Sequence, residues 1–278
     1  GFPVTIDASA MDAADTLTIR GSGAITISGL VAQLTSYATG ALTISTDANA
    51  TQTIRFEADP TGTLTLGGAE SIVLANTVDL SALTLTGGGS YSLTLDPNAS
   101  VATTVAQHNT ATAITAAGSE TITFTDAGTA TGNAAVETYV LAAAGGSTFT
   151  LGSASQNVTT GANGADTLNV SSFNATGVFN TVAADTIQLG ATSDISGVQA
   201  EGNAAGTALD ADNLTIDSGS SVSMTVAQHN AFSGTVTAAG TETISLTTAG
   251  DATGFLVVED YNLANGDQTF TLGAASQN

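Results

Sequence analysis

The stretch SLTLDPNASVATTVAQHN (Ser92–Asn109) returns as NLTIDSGSSVSMTVAQHN (Asn213–Asn230), about 121 residues later. Each copy runs on in the same order. The first passes through TAAGSETITF (Thr115–Phe124) to STFTLGSASQN (Ser147–Asn157). The second passes through TAAGTETISL (Thr237–Leu246) to QTFTLGAASQN (Gln268–Asn278). Self-similarity over such a period marks a repeat architecture. It divides the sequence into a divergent region 1–91, a complete long repeat 92–212 and a truncated second copy 213–278.

A shorter period lies inside the long one. An acidic residue, usually followed by Ser or Thr and then apolar-x-apolar, recurs at Asp15, Glu70, Glu120, Glu137, Asp166, Asp185 and Glu242. Strict alternation with β-branched residues reads as short strands. Gly, Asn, Asp and Ser punctuate them as turns. Strand spacing alone fits a sandwich, a barrel or a solenoid. The repeats merge without a domain boundary, and the alternating positions hold Leu, Ile, Val, Ala and Thr but no Trp. Such side chains suit narrow stacked coils, so the expected fold is all-β: a β-solenoid of the parallel β-helix or β-roll kind, with short helical turns at its corners. Coils of about 20–28 residues, stacked at the ~4.8 Å strand spacing, follow from this reading. Leu168, Ile187, Ile122 and Ile244 are then inward. Thr167 and Thr186 face out or lie in ladders.

Composition narrows the function classes. Asp and Glu number 24 against two basic residues, Arg20 and Arg55, for a net charge of −22. Nucleic-acid binding needs cations to displace phosphate counterions, so it is excluded. Attraction to anionic lipid is excluded on the same ground. The apolar alternation argues against acidic disorder. There is no cysteine, hence no disulfide and no Cys-based zinc site. No apolar run of membrane-spanning length occurs, so no membrane insertion is expected. The chain opens on Gly1 and closes inside a repeat, so its ends read as cut points in a longer protein.

The repeated hexapeptide TVAQHN carries both histidines, His108 and His229. Thr104-Val-Ala-Gln107 and Thr225-Val-Ala-Gln228 match Ser/Thr-x-x-Glu/Gln, the capping box that opens a helix. A metal site needs three or four ligands, and each copy offers one imidazole. The histidines are therefore expected at equivalent corners, hydrogen-bonded to backbone rather than to ions. Asp210 and Asp212 form a carboxylate pair of the sort glycoside hydrolysis uses. Polysaccharide-cleaving β-helix enzymes usually present Lys, Arg and aromatic residues along their grooves, and this chain has two Arg, no Lys and no Trp. The expectation is no enzyme. The sequons at Asn98 and Asn157 match a glycosylation pattern that a Thr-rich chain produces by chance.

One stretch carries a specific motif: GANGADTLN, Gly161–Asn169. Gly at the first and fourth positions, Asp at the sixth and an apolar residue at the eighth fit the nonapeptide G-G-x-G-x-D-x-U-x, with Ala162 in place of the second Gly. Here the chain resembles the RTX proteins that bacteria export by type I secretion. The wider Thr/Ala/Gly/Asp-rich, cysteine-free style is similar to their S-layer proteins and giant adhesins. That resemblance implies a parallel β-roll with Ca²⁺ between its turns. It implies Asp166 as carboxylate ligand, Gly161, Asn163 and Gly164 as the carbonyl-bearing turn, and Asp185 as a weaker ligand one coil on. Function is then expected as an extracellular structural or assembly protein: a calcium-associated segment of a surface layer, filament or adhesin stalk at the bacterial cell surface. Its partners would be copies of itself and cell-surface polysaccharide. The rival class is a carbohydrate- or host-binding adhesin module, and a more distant one is a β-helix glycosidase.

Overall fold

The computed structural model describes residues 2–30, 32–48, 51–182, 184–200, 209, 213–274 and 277. Asp210 and Asp212 lie outside the described residues. Among the described residues the regular structure is nearly all β, with two short helices, and the paired strands run parallel. Strands adjacent in a sheet are separated in the chain by a strand of another sheet, which is the winding of a β-solenoid. The chain forms two compact units, Gly1–Thr125 with Ala135–Glu137, and Asp126–Ala134 with Thr138–Asn278. The boundaries at 92 and 213 are boundaries of sequence repetition and do not coincide with this division.

In the first unit one sheet stacks Val4–Asp7, Ile25–Leu30, Ala41–Thr46, Thr61–Leu66 and Leu83–Gly87. A second stacks Thr16–Gly21, Gln33–Ala38, Thr53–Phe56, Ala69–Leu74, Ser90–Leu95 and Ile114–Thr115. In the second unit the longest sheet stacks Thr129–Thr131, Thr148–Thr150, Thr167–Ser171, Thr186–Leu189, Asn213–Ile216 and Val236–Thr237. Coils are tighter than 20–28 residues in places: 17 separate Glu120 from the Glu137 carboxylate it meets, and 19 separate Asp166 from Asp185.

The period-two pattern explains which residues turn inward. Leu168 pairs with Ile187, and both are buried, as are Ile122 and Ile244. Their neighbours Thr167 and Thr186 are half-buried and in register, forming the expected ladder. Apolar ladders of this kind bury one coil on the next at about 25 cal/mol per Å² of apolar surface. No helix among the described residues is long and apolar enough to cross a membrane.

Candidate functional site

The acids that open the strand phrases sit at the coil corners, and many point inward. Asp166 is fully buried, and Asp185 is 1% exposed. The two Asp166 oxygens accept the amide N–H of Ser147 at 2.7 Å and of Gly161 at 2.6 Å. Its own amide donates to Asp185 Oδ1 at 2.8 Å. Asp185 Oδ2 accepts the Val182 amide at 2.9 Å and the Thr160 hydroxyl at 2.5 Å. Each carboxylate thus caps amides of its own corner and of the coil before it. A corner leaves backbone donors outside the strand ladders, and a buried donor without an acceptor costs about 1–3 kcal/mol.

The same device recurs. Glu120 accepts the Asn98 amide at 3.1 Å and the Gly118 amide at 3.0 Å, and donates its own N–H to Glu137 at 3.0 Å. Burial pushes the Glu120 carboxyl up, but these hydrogen bonds, led by the Asn98 amide, hold it below its ordinary value. Glu70 accepts the Gly68 amide at 2.9 Å and the Thr46 hydroxyl at 2.5 Å. Glu242 accepts the Gly219 amide through Oε1, while its Oε2 is buried without a hydrogen-bond partner. Gln156 does the same without charge: Oε1 accepts the Gly152 amide at 2.7 Å and Nε2 donates to the Asn133 carbonyl at 2.7 Å.

The residues expected to hold calcium meet in one place, but with the wrong polarity. Gly161 presents its N–H to Asp166, and both carboxylate oxygens face amide hydrogens that a cation would have to displace. Asn163 is exposed, and its amide donates to the Ala143 carbonyl. A Cβ on Gly161 would lie 2.1 Å from the Ala142 carbonyl oxygen, and one on Gly164 2.8 Å from that of Ala144. Close approach to the preceding coil therefore accounts for both glycines. The donor set around Asp166 and Asp185 fits an amide cap and not a Ca²⁺ shell. Among the described residues no group of three or more His, Asp or Glu side chains is placed to hold a metal ion.

The hexapeptides open the helices Val105–Thr110 and Val226–Ala231, and both capping boxes are complete. Gln107 Oε1 accepts the Thr104 amide at 2.9 Å while its Nε2 donates to the carbonyls of Leu80 and Leu83, each at 2.9 Å. Gln228 does likewise, reaching the Ile195 carbonyl at 2.7 Å. The glutamine that caps the helix thus also ties it to an earlier coil. His108 and His229 occupy equivalent buried places in the last turn. Each Nδ1 lies 3.1 Å from the side-chain oxygen of the following residue, Asn109 or Asn230. For His229 the partners differ from the expected backbone groups: its ring stacks on Phe255 at 4.1 Å, and Nε2 lies 3.4 Å from the Tyr261 hydroxyl. His108 stands edge-on to Phe124 at 5.2 Å. Burial lowers the pKa of both imidazoles, against the raising effect of the Asn partner.

Beside His229 lies an open pocket of about 540 Å³, lined by Asn230, Phe232, Asp251, Phe255 and Thr269 among others. In the first copy the aligned residues are Asn109, Ala111, Thr129, Asn133 and Thr148. Repetition hides this pocket from the sequence: two aromatic rings and a carboxylate replace small or neutral residues at three scattered positions. Both arginines are committed elsewhere. Arg55 bridges Glu57 and Asp96 at 2.5 Å each, and Arg20 lies 3.9 Å over the Tyr37 ring.

Comparison with protein-family models, with curated proteins and with solved structures gives no match. The parallel winding places the chain among β-solenoid repeat proteins.

Proposed function

We propose that this chain is a structural segment of an extracellular assembly: a β-solenoid spacer in a bacterial surface layer, filament or adhesin stalk. One observation carries the reading. The polar interior is spent on joining each coil to its neighbour, through the Ser147–Asp166–Asp185 succession and the Gln107 and Gln228 anchors. Side chains committed to backbone caps are held in place, which favours a mechanical role over turnover. The RTX resemblance supports secretion. A net charge of −22 favours solubility and opposes compaction before export. Calcium enters this reading as a counterion for the outward acids, since Asp166 and Asp185 already hold amide partners. The test follows self-association by light scattering and electron microscopy, with and without millimolar Ca²⁺. Ordered sheets or filaments are expected, and a monodisperse monomer under every condition would remove the assembly reading.

The pocket beside His229 favours a second reading, a glycan-binding adhesin module. Phe232 and Phe255 offer apolar ring surface, and Asn230 and Asp251 offer polar groups, the mixture that orients a small ligand. A glycan array probed with the wild-type chain and with Asp251→Ala separates the two. Binding lost in the variant supports the module, and no binding by the wild type removes it.

A further inference from the structure

One face of the first unit carries a regular array that neither reading uses. In register across five parallel strands stand Thr5, Thr26, Thr43, Thr63 and Thr84. Two residues further along the strands runs a second column. It begins Asp7–Ser28 and, after a register shift beyond Ile27, continues Ser45–Thr65–Thr86. All of these residues are exposed or half-buried. The alternate residues Ile25, Ile27, Leu42, Ile44, Leu64 and Leu83 are buried beneath them. In a chain with 24 acids the two columns hold a single charge, Asp7, at the edge.

The chemistry of this face selects its partner. An ionic partner finds no complementary charge. A protein partner is held mainly by Trp, Tyr and Arg anchors, and the two columns contain none. Pyranose surfaces are held by aromatic stacking, which the columns also lack. What remains is an uncharged, periodic partner that hydrogen-bonds and accommodates methyl groups. Parallel strands repeat at about 4.7–4.9 Å, close to an oxygen repeat of the ice lattice. Threonine is stiff at χ1, so its hydroxyl and methyl lose little entropy on contact. Neighbouring hydroxyls already register with one another: Thr65 Oγ1 and Thr86 Oγ1 lie 3.2 Å apart.

We propose that the face bearing Thr5, Thr26, Thr43, Thr63 and Thr84 binds ice. The hydroxyl columns hydrogen-bond lattice water, and the methyls between them order it. In the second unit Thr129, Thr148, Thr167 and Thr186 also align, but three of the four are half-buried, and Asn169 and Gln188 interrupt the column beside them. The ice contact therefore belongs to the first unit. It holds independently of whether the chain assembles with its own copies.

The experiment measures thermal hysteresis and partition of the labelled chain into slowly growing ice. It compares wild type with Thr43→Lys/Thr63→Lys, and with Thr35→Lys on the neighbouring sheet as a control. The single variants Thr43→Lys and Thr84→Lys carry the same test should the double variant fail to fold. Wild type and Thr35→Lys are expected in the ice fraction with measurable hysteresis. The array variants are expected to lose both at an unchanged melting temperature. Exclusion of the wild type from ice overturns the proposal, as does full retention of the array variants. Retention on crystalline cellulose or chitin without ice affinity overturns it too, in favour of a polysaccharide lattice.

Discussion

The amide N–H of Asp166 donates to the carboxylate of Asp185, 2.8 Å away and 19 residues further along the chain. Asp166 repeats the act one coil earlier, on Ser147. An acid therefore serves here as an inward cap for backbone, and the two carboxylates lie in succession, each holding amides of its own corner and of the coil before it.

That polarity separates two superficially similar substitutions. Asp166→Asn places an NH₂ group against an amide hydrogen, because both carboxylate oxygens accept N–H groups. The expected cost is about 1.5–3 kcal/mol, the range for hydrogen bonds to charged groups. Glu242→Gln can keep Oε1 on the Gly219 amide and put its NH₂ where Oε2 has no partner. It is expected to stay within about 1 kcal/mol of wild type. Urea midpoints measure both, and exchange of the Ser147 and Gly161 amides should accelerate only in the first variant. Equal losses at the two sites would count against the capping role.

Calcium offers a second discrimination. With Asp166 occupied by amides, millimolar Ca²⁺ should raise the melting temperature of wild type and of Asp166→Asn by the same increment over EGTA. Weak extracellular sites bind at about 10⁻⁴–10⁻³ M, so the increment of any one site is small. Loss of the increment in the variant alone would restore Asp166 as a ligand.

Acid should destabilise the fold in two steps of the same sign. The ordinary histidine value is 6.5, and burial places His108 and His229 below it. Below pH 6.5 the unfolded chain binds more protons than the folded one, so stability is full above that value and falls as the pH drops through the folded pKa. Glu120, lowered from 4.5, contributes stability that is full above pH 4.5 and lost as the pH falls through its folded pKa. His108→Gln/His229→Gln should flatten the upper step and leave the lower one. Urea midpoints across this pH range read both steps, and an upper step unchanged in the double variant would refute the assignment.

The corner helices make a more local prediction. Thr104→Ala and Thr225→Ala each remove an N-cap and are expected to cost about 1 kcal/mol. Gln228→Ala should cost more, since it also frees the buried Ile195 carbonyl from its Nε2 partner. Chemical denaturation ranks the three, and a smaller loss for the glutamine would argue against its anchoring role.

The strands and corners were legible because they are local. Alternation fixes which side of a strand is apolar, so Leu168, Ile187, Ile122 and Ile244 could be assigned inward from their neighbours alone. The capping boxes were legible for the same reason, since Thr104 and Gln107 meet within one turn. The pocket was not, because Phe232, Asp251 and Phe255 come together only through coil stacking.

By itself, then, the sequence determined a stack of short strands, its inward ladders and its helical corners, since each follows from contacts within a few residues. The tertiary structure alone decided what the acids do. Whether Asp166 meets a cation or an amide depends on which atoms of another coil reach it, and Ser147 arrives from 19 residues away. Coil length and register set that meeting, and no short window of sequence contains them. The threonine face follows the same rule. Each Thr-x-Thr or Thr-x-Ser phrase is visible alone, but the column exists only once parallel pairing brings Thr5, Thr26, Thr43, Thr63 and Thr84 into line.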